Sequence, residues 1–122
     1  MTRSLVVLAA LLASGVAAQE PTPAEPVHLS LEQRMLLRCA ASFALVANRQ
    51  QAGEQWALAY PPLDERGRAF FVRSGARVMG EAALDTAALD RILAGEAQDI
   101  VANEQISSLM PICLDLLEQS GL

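Results

Sequence analysis

The fold is decided by residues 30–46, which read SLEQRMLLRCAASFALV. Ser30 and Gln33 have the spacing of a capping box, in which each side chain accepts a hydrogen bond from the other residue's backbone amide at a helix start. Apolar residues then recur every three or four positions, which places them on one face of a helix. They are Met35, Leu36, Cys39, Phe43 and Val46. The stretch therefore predicts an amphipathic helix with Cys39 in the middle of its apolar face.

Three later segments carry the same helical spacing, so the sequence predicts an all-α fold, a small bundle of four to five helices. We expect the first helix to reach about residue 55, or to break at Gly53 and leave a short successor that carries Trp56. Further helices are predicted over 63–79, from Asp85 or Thr86 through Ile100, and over 108–119. No segment alternates apolar and polar residues as a half-buried strand does.

Two cysteines, Cys39 and Cys113, are each predicted at the centre of an inward helix face. Helices that pack about 8–10 Å apart bring such side chains within disulfide reach. We therefore predict one disulfide that joins the first and last helices. A redox-active or metal-binding pair is an alternative, although the C-x-x-C spacing of redox pairs is absent. Free or intermolecular thiols are another.

The first part of the chain predicts export. Arg3 precedes an uninterrupted apolar run over 5–13, and small residues follow over 14–18, which is the pattern of a cleavable signal peptide spanning 1–18. The apolar run is shorter than the roughly 18 residues that span a bilayer. Residues 19–29 hold three prolines and predict an extended tether, and residues 30–122 predict a single helical domain. We expect a periplasmic or secreted protein without a stable membrane anchor after cleavage.

The charge of the chain argues against nucleic acid as a partner. All nine basic residues are arginines, and eight remain once Arg3 is removed, against fourteen aspartates and glutamates. Proteins that bind nucleic acid carry a basic patch that neutralises phosphates. The same acidic balance disfavours binding to anionic lipid.

Catalytic and metal-binding patterns are weak. The single histidine, His28, lies on the predicted tether. Together with the two cysteines it gives three possible nitrogen or sulfur ligands, which is too few for a structural zinc site. We therefore expect no metal and no cofactor. Carboxylate pairs can carry acid–base chemistry, and the candidates are Asp64–Glu65, Glu81–Asp85 and Asp99–Glu104. First-turn charge explains Asp64 and Glu65 better, and solvated helix faces explain the others better, so we do not expect an enzyme.

Two charged residues interrupt apolar faces. Arg68 falls on the apolar side of the second predicted helix, and Glu96 falls on the apolar stripe of the third. That apolar side of the second helix consists of Phe71, Val72, Gly75, Val78 and Met79. Since a buried charge needs a partner, we predict that Arg68 and Glu96 form an ion pair between these helices. The alternative is that each side chain extends past the edge of the core into water.

A partner-binding surface is predicted on the opposite side of the second helix. Arg66, Phe70, Arg73 and Arg77 fall within a narrow arc there, and arginines around an exposed aromatic residue are typical of interface hot spots. The alternative is that Phe70 packs under the loop at 60–62 while the arginines pair with carboxylates. Trp56 and Tyr60 give a second predicted contact patch.

The function expected from these features is that of a small exported, non-enzymatic interaction protein of the cell envelope, with another envelope protein as its partner. The alternatives are an acid-stress chaperone-like protein, a structural subunit of an envelope assembly, or an enzyme that uses a pair of carboxylates.

Overall fold

A computed structural model of the protein describes Gly15 and residues 27–122. This part of the chain contains five helices and no strand, which confirms the predicted all-α fold. The helices are α1 Leu31–Gln51, α2 Gln55–Leu58, α3 Arg66–Ala82, α4 Thr86–Ala102 and α5 Ile106–Gln119. The predicted signal peptide, apart from Gly15, and residues 19–26 of the predicted tether lie outside the described residues. None of the described helices is both long and apolar enough to cross a membrane.

Helix α1 begins with the predicted capping box. The Ser30 hydroxyl accepts a hydrogen bond from the Gln33 amide at 3.1 Å, and Gln33 Oε1 accepts one from the Ser30 amide at 2.9 Å. The helix breaks where Gly53 adopts a φ of 75°, a left-handed conformation that glycine takes without steric cost. The short helix α2 follows and carries Trp56, so the interrupted form of the prediction is the correct one.

Helices α3 and α5 begin at other residues than predicted. Leu63 lies in the turn before α3, with its side chain buried in the core and its amide donating to Gln50 Oε1 at 3.1 Å. Helix α3 therefore starts at Arg66. Helix α5 starts at Ile106, which places Pro111 beyond the first turn. Since proline has no amide hydrogen, Pro111 removes one helical hydrogen bond there.

Helix α1 is the centre of the fold and contacts all four other helices. Its apolar face supplies Leu37, Phe43 and Val46, each without solvent exposure. Gly67 of α3 allows a close approach to α1, because a Cβ atom at this glycine would lie 3.2 Å from the Cβ of Phe43. The core therefore forms around α1, with α3 and α4 packed on it as separate neighbours.

The disulfide between Cys39 of α1 and Cys113 of α5 is present, as predicted. The two Cα atoms are 5.1 Å apart, and both residues are fully buried. This cross-link joins positions separated by 74 in sequence. It therefore holds the last helix against the first.

Candidate functional site

Phe70 lies in the core, which corrects the partner-binding surface predicted on α3. Phe70 is 3% exposed, and its ring packs edge to face against that of Phe43, with the ring centroids 5.1 Å apart. The predicted phase of the helix placed Phe71 and Val72 inward, but Val72 is 63% exposed. Phe70 is thus the aromatic anchor of the α1–α3 contact and is absent from the surface.

Two of the three arginines of the predicted surface pair with carboxylates, as the alternative had it, and the third bonds to a main-chain carbonyl. Arg66 donates to the main-chain oxygen of Leu122 at 2.8 Å and to Glu118 at 2.9 Å. Arg73 donates to the Ser120 carbonyl at 3.0 Å. Both arginines therefore sit at the C-terminal end of α5, where carbonyl groups lack helical partners and attract positive charge.

Arg77, the third of these arginines, links α3 to the start of α1. It donates to Glu81 at 2.7 Å and to Glu32 at 2.8 Å, and all three side chains are well exposed. These bonds raise the pKa of Arg77, the one to Glu81 most strongly. Arg66, Arg73 and Arg77 are therefore engaged within the chain and do not form an open basic patch.

The bond between Arg77 and Glu81 makes stability depend on pH. It lowers the pKa of Glu81 below its ordinary value of 4.5, and a second hydrogen bond from Gln33 acts in the same direction. A carboxylate with a lowered pKa stabilises the folded chain above the unfolded-state pKa and loses that contribution as pH falls through the folded-state pKa. We expect Glu81→Gln to lower stability near neutral pH and to flatten its decline below about pH 4.5.

Urea denaturation at a series of pH values measures this effect. Glu65→Gln is the control, because Glu65 makes no salt bridge within residues 27–122. Parallel pH profiles for wild type and Glu81→Gln would show that the bond to Arg77 contributes nothing.

Glu96 pairs with Arg38 of α1, which corrects the predicted pair with Arg68. Arg38 Nη1 lies 2.6 Å from Glu96 Oε2 and 3.0 Å from Asp99 Oδ2, and Arg38 Nη2 donates to Gln105 Oε1. Arg68 is exposed and makes no salt bridge within the described residues. The reason is the arrangement of the helices: α3 and α4 touch each other little, while both pack on α1. A charge on the inner side of α4 therefore meets α1.

Breaking the Arg38–Glu96 pair should be costly, since the two side chains are only 18% and 13% exposed. We expect Arg38→Met or Glu96→Leu alone to lower the free energy of unfolding by about 2 kcal/mol. Arg38→Met leaves Glu96 unpaired, and Glu96→Leu leaves Arg38 with only the more exposed Asp99 as its counter-charge. The double substitution should recover at least half of the summed loss. Urea denaturation of the four proteins gives the coupling, and Arg91→Met on the exposed side of α4 is the control. Strictly additive losses would contradict a coupled pair.

Gln50 is a residue whose role the sequence did not reveal. Its Nε2 faces the carbonyl oxygens of Ala57, Tyr60 and Pro61 at 2.9–3.3 Å, and its Oε1 accepts from the Leu63 amide. One glutamine thus fixes the segment between α2 and α3. Tyr60 belongs to this segment, and Trp56 lies in α2 directly before it.

A groove of about 640 Å³ opens where the C-terminal halves of α1 and α4 meet α2 and the start of α5. We call it the Trp56 groove. Its residues come from four helices and their connections: Leu45, Arg49, Glu54, Trp56, Tyr60, Ile100, Val101, Glu104, Ile106 and Ser107. Trp56 is 47% exposed and Val101 is 60% exposed, so two large apolar side chains face solvent beside an apolar floor.

Hydrogen bonds orient the aromatic residue of the Trp56 groove. The indole N–H of Trp56 donates to Glu54 Oε2 at 2.7 Å. The other oxygen of Glu54 lies 3.4 Å from Arg49 Nη1. The polar edge of Trp56 is therefore satisfied by its own neighbour, and the rest of the exposed ring presents apolar surface.

Three of the six carboxylates considered for acid–base chemistry have partners of their own in the fold. Glu81 bonds to Arg77, Asp99 bonds to Arg38, and Asp85 caps α4 by accepting from the Ala88 amide at 2.7 Å. Within the described residues, no group of three or more histidine, cysteine, aspartate and glutamate side chains is placed to hold a metal ion.

The Trp56 groove is the candidate functional site. It combines the second predicted contact patch, Trp56 and Tyr60, with the C-terminal end of α4 and the start of α5.

Comparison of the chain with protein-family models, with curated proteins and with solved structures gave no match.

Proposed function

We propose that this chain is an exported, non-enzymatic interaction protein that binds another envelope protein through the Trp56 groove. The signal-peptide pattern over residues 1–18 supports export. The Cys39–Cys113 disulfide is in keeping with an oxidising compartment such as the periplasm or the extracellular space.

The observation that carries the proposal is the exposure of Trp56 beside Val101. Within residues 27–122, most large apolar residues lie in the core or pack against it, yet these two are 47% and 60% exposed and line one groove. Tryptophan is enriched among the residues that supply most of the binding energy at protein interfaces. Clustered apolar side chains at the rim of a concave surface are typical of interaction sites.

The shape of the groove favours a macromolecular partner over a small molecule. Pockets for small ligands bury roughly 70–90% of the ligand and place several polar groups towards it. In the Trp56 groove the main contact residues stand open to solvent, and Glu54 is already bonded to Trp56 and Arg49. A protein segment laid across the groove covers such residues well.

Site-specific photo-cross-linking in the native host tests this proposal. A photoreactive amino acid replaces Val101, and the matched control replaces Val72, which is 63% exposed on α3 and lines no groove described above. We expect one dominant protein adduct from position 101 that is lost when Trp56→Ala is added, and none from position 72. Equal adducts at both positions, or none at position 101, would overturn the proposal.

A further inference from the structure

We infer that the Trp56 groove binds a peptide segment in which a basic side chain stands next to a large apolar one. This inference rests on the proposed function and specifies the chemistry of the partner.

The apolar half of the inference follows from the floor of the groove. Ile100 is buried and Tyr60 and Ile106 are half-buried, and all three line the groove together with the exposed Trp56 and Val101. A leucine or phenylalanine seated there removes apolar surface from water on both molecules, which is the main favourable contribution to protein association. The volume of about 640 Å³ leaves room for more than one such side chain.

The basic half follows from the charges at the rim. Arg49 is paired with Glu54, so these two charges offset each other. Glu104, the third charged residue of the groove, is exposed and makes no salt bridge or side-chain hydrogen bond within residues 27–122. The rim therefore carries one unpaired carboxylate, and a partner with a nearby cation complements it.

The backbone holds Glu104 in place at this rim. Its φ is 51°, and the following amide, that of Gln105, donates to the Ile100 carbonyl at 3.0 Å to close α4. The C-terminal ends of α1 and α4 lie at the groove, and α2 and α5 begin there, so the partial charges of the helix ends offset each other. The Glu104 carboxylate therefore sets the sign of the rim and favours a cation.

The intrinsic fluorescence of Trp56 provides the test, because this is the single tryptophan of the chain. The probes are two short tryptophan-free peptides with the same central pair of leucines, flanked by arginines in one and by glutamates in the other. Titrated into the full exported chain, the arginine peptide should shift the emission to shorter wavelength and saturate, and the glutamate peptide should bind at least tenfold more weakly.

Substitutions assign the two halves of the inference separately. Glu104→Gln should weaken binding of the arginine peptide by about fivefold, as expected for loss of a rim charge. Val101→Ser should weaken it by about tenfold through lost apolar contact. Val72→Ser is the matched control and should leave binding unchanged, and circular dichroism checks that each variant is folded.

The outcomes separate this inference from the proposed function. If both peptides bind equally well and Val101→Ser weakens both, the groove is a binding site and the preference for a basic segment is wrong. If the adduct from position 101 maps to a partner segment without a basic residue, the inference is also overturned. If no peptide changes the Trp56 emission and position 101 gives no adduct, both this inference and the proposed function are wrong.

Discussion

Removing the Cys39–Cys113 disulfide should lower the free energy of unfolding by about 4 kcal/mol, since the cross-link restricts the unfolded chain over a long loop. The two cysteines are separated by 74 positions, and both side chains are fully buried between α1 and α5. Helix α5 packs mainly on α1 and touches α3 only slightly. We therefore expect the chain without its disulfide to lose much of its stability and to release α5 first.

Urea denaturation of the double variant Cys39→Ala/Cys113→Ala measures this loss, and reduction of the wild-type chain with dithiothreitol provides an independent form without the bond. The two should unfold at similar urea concentrations, well below that of the oxidised wild type. A variant that unfolds within about 1 kcal/mol of the oxidised protein would show that packing alone holds α5 in place.

Replacing Phe70 by alanine should cost about 4 kcal/mol, the usual range for loss of a buried phenylalanine side chain. Phe70 is 3% exposed and packs edge to face on Phe43, so the substitution leaves a cavity in the α1–α3 contact. Val72→Ala on the exposed side of the same helix is the control and should change stability by no more than about 0.5 kcal/mol. An equally small effect of Phe70→Ala would show that Phe70 lies on the surface and not in the core.

The order and type of the helices could be predicted from the sequence because their signals are local. The capping box at Ser30 and Gln33 and the central position of Cys39 each follow from spacing along one segment. The disulfide could be predicted because Cys39 and Cys113 both lie on inward helix faces. Local spacing was therefore sufficient for the bundle and for its cross-link.

On α3, the predicted inward positions Gly75 and Val78 are buried, but Val72 is exposed and Phe70 is buried instead. Phe70, Phe71 and Val72 are adjacent, so this stretch gives no unique apolar side. The small residues carry the better signal. Gly67 and Ser74 are buried on the same face as Phe70, at helical spacing, because α3 lies close against α1 there. A face marked by small residues is the one that approaches another helix.

The partner of Glu96 and the walls of the Trp56 groove depend on how the helices are arranged in three dimensions. Glu96 meets Arg38 because α1 lies between α3 and α4, which no spacing within α4 reveals. The patch at Trp56 and Tyr60 was predicted as one of two contact surfaces. Val101 and Glu104 lie beside this patch only because of how α4 and α5 pack in the folded chain, which the sequence did not reveal.

The most direct test of the Trp56 groove as the binding surface is hydroxyl-radical footprinting of the unmodified protein. Oxidation of Trp56 is compared between the purified chain and the chain in its native compartment, with Leu31, 79% exposed at the start of α1, as the internal reference. We predict that Trp56 is labelled several-fold less in the native compartment while Leu31 is labelled equally in both. Equal labelling of Trp56 in the two states, with protection on the outer face of α3 around Val72 instead, would contradict the account.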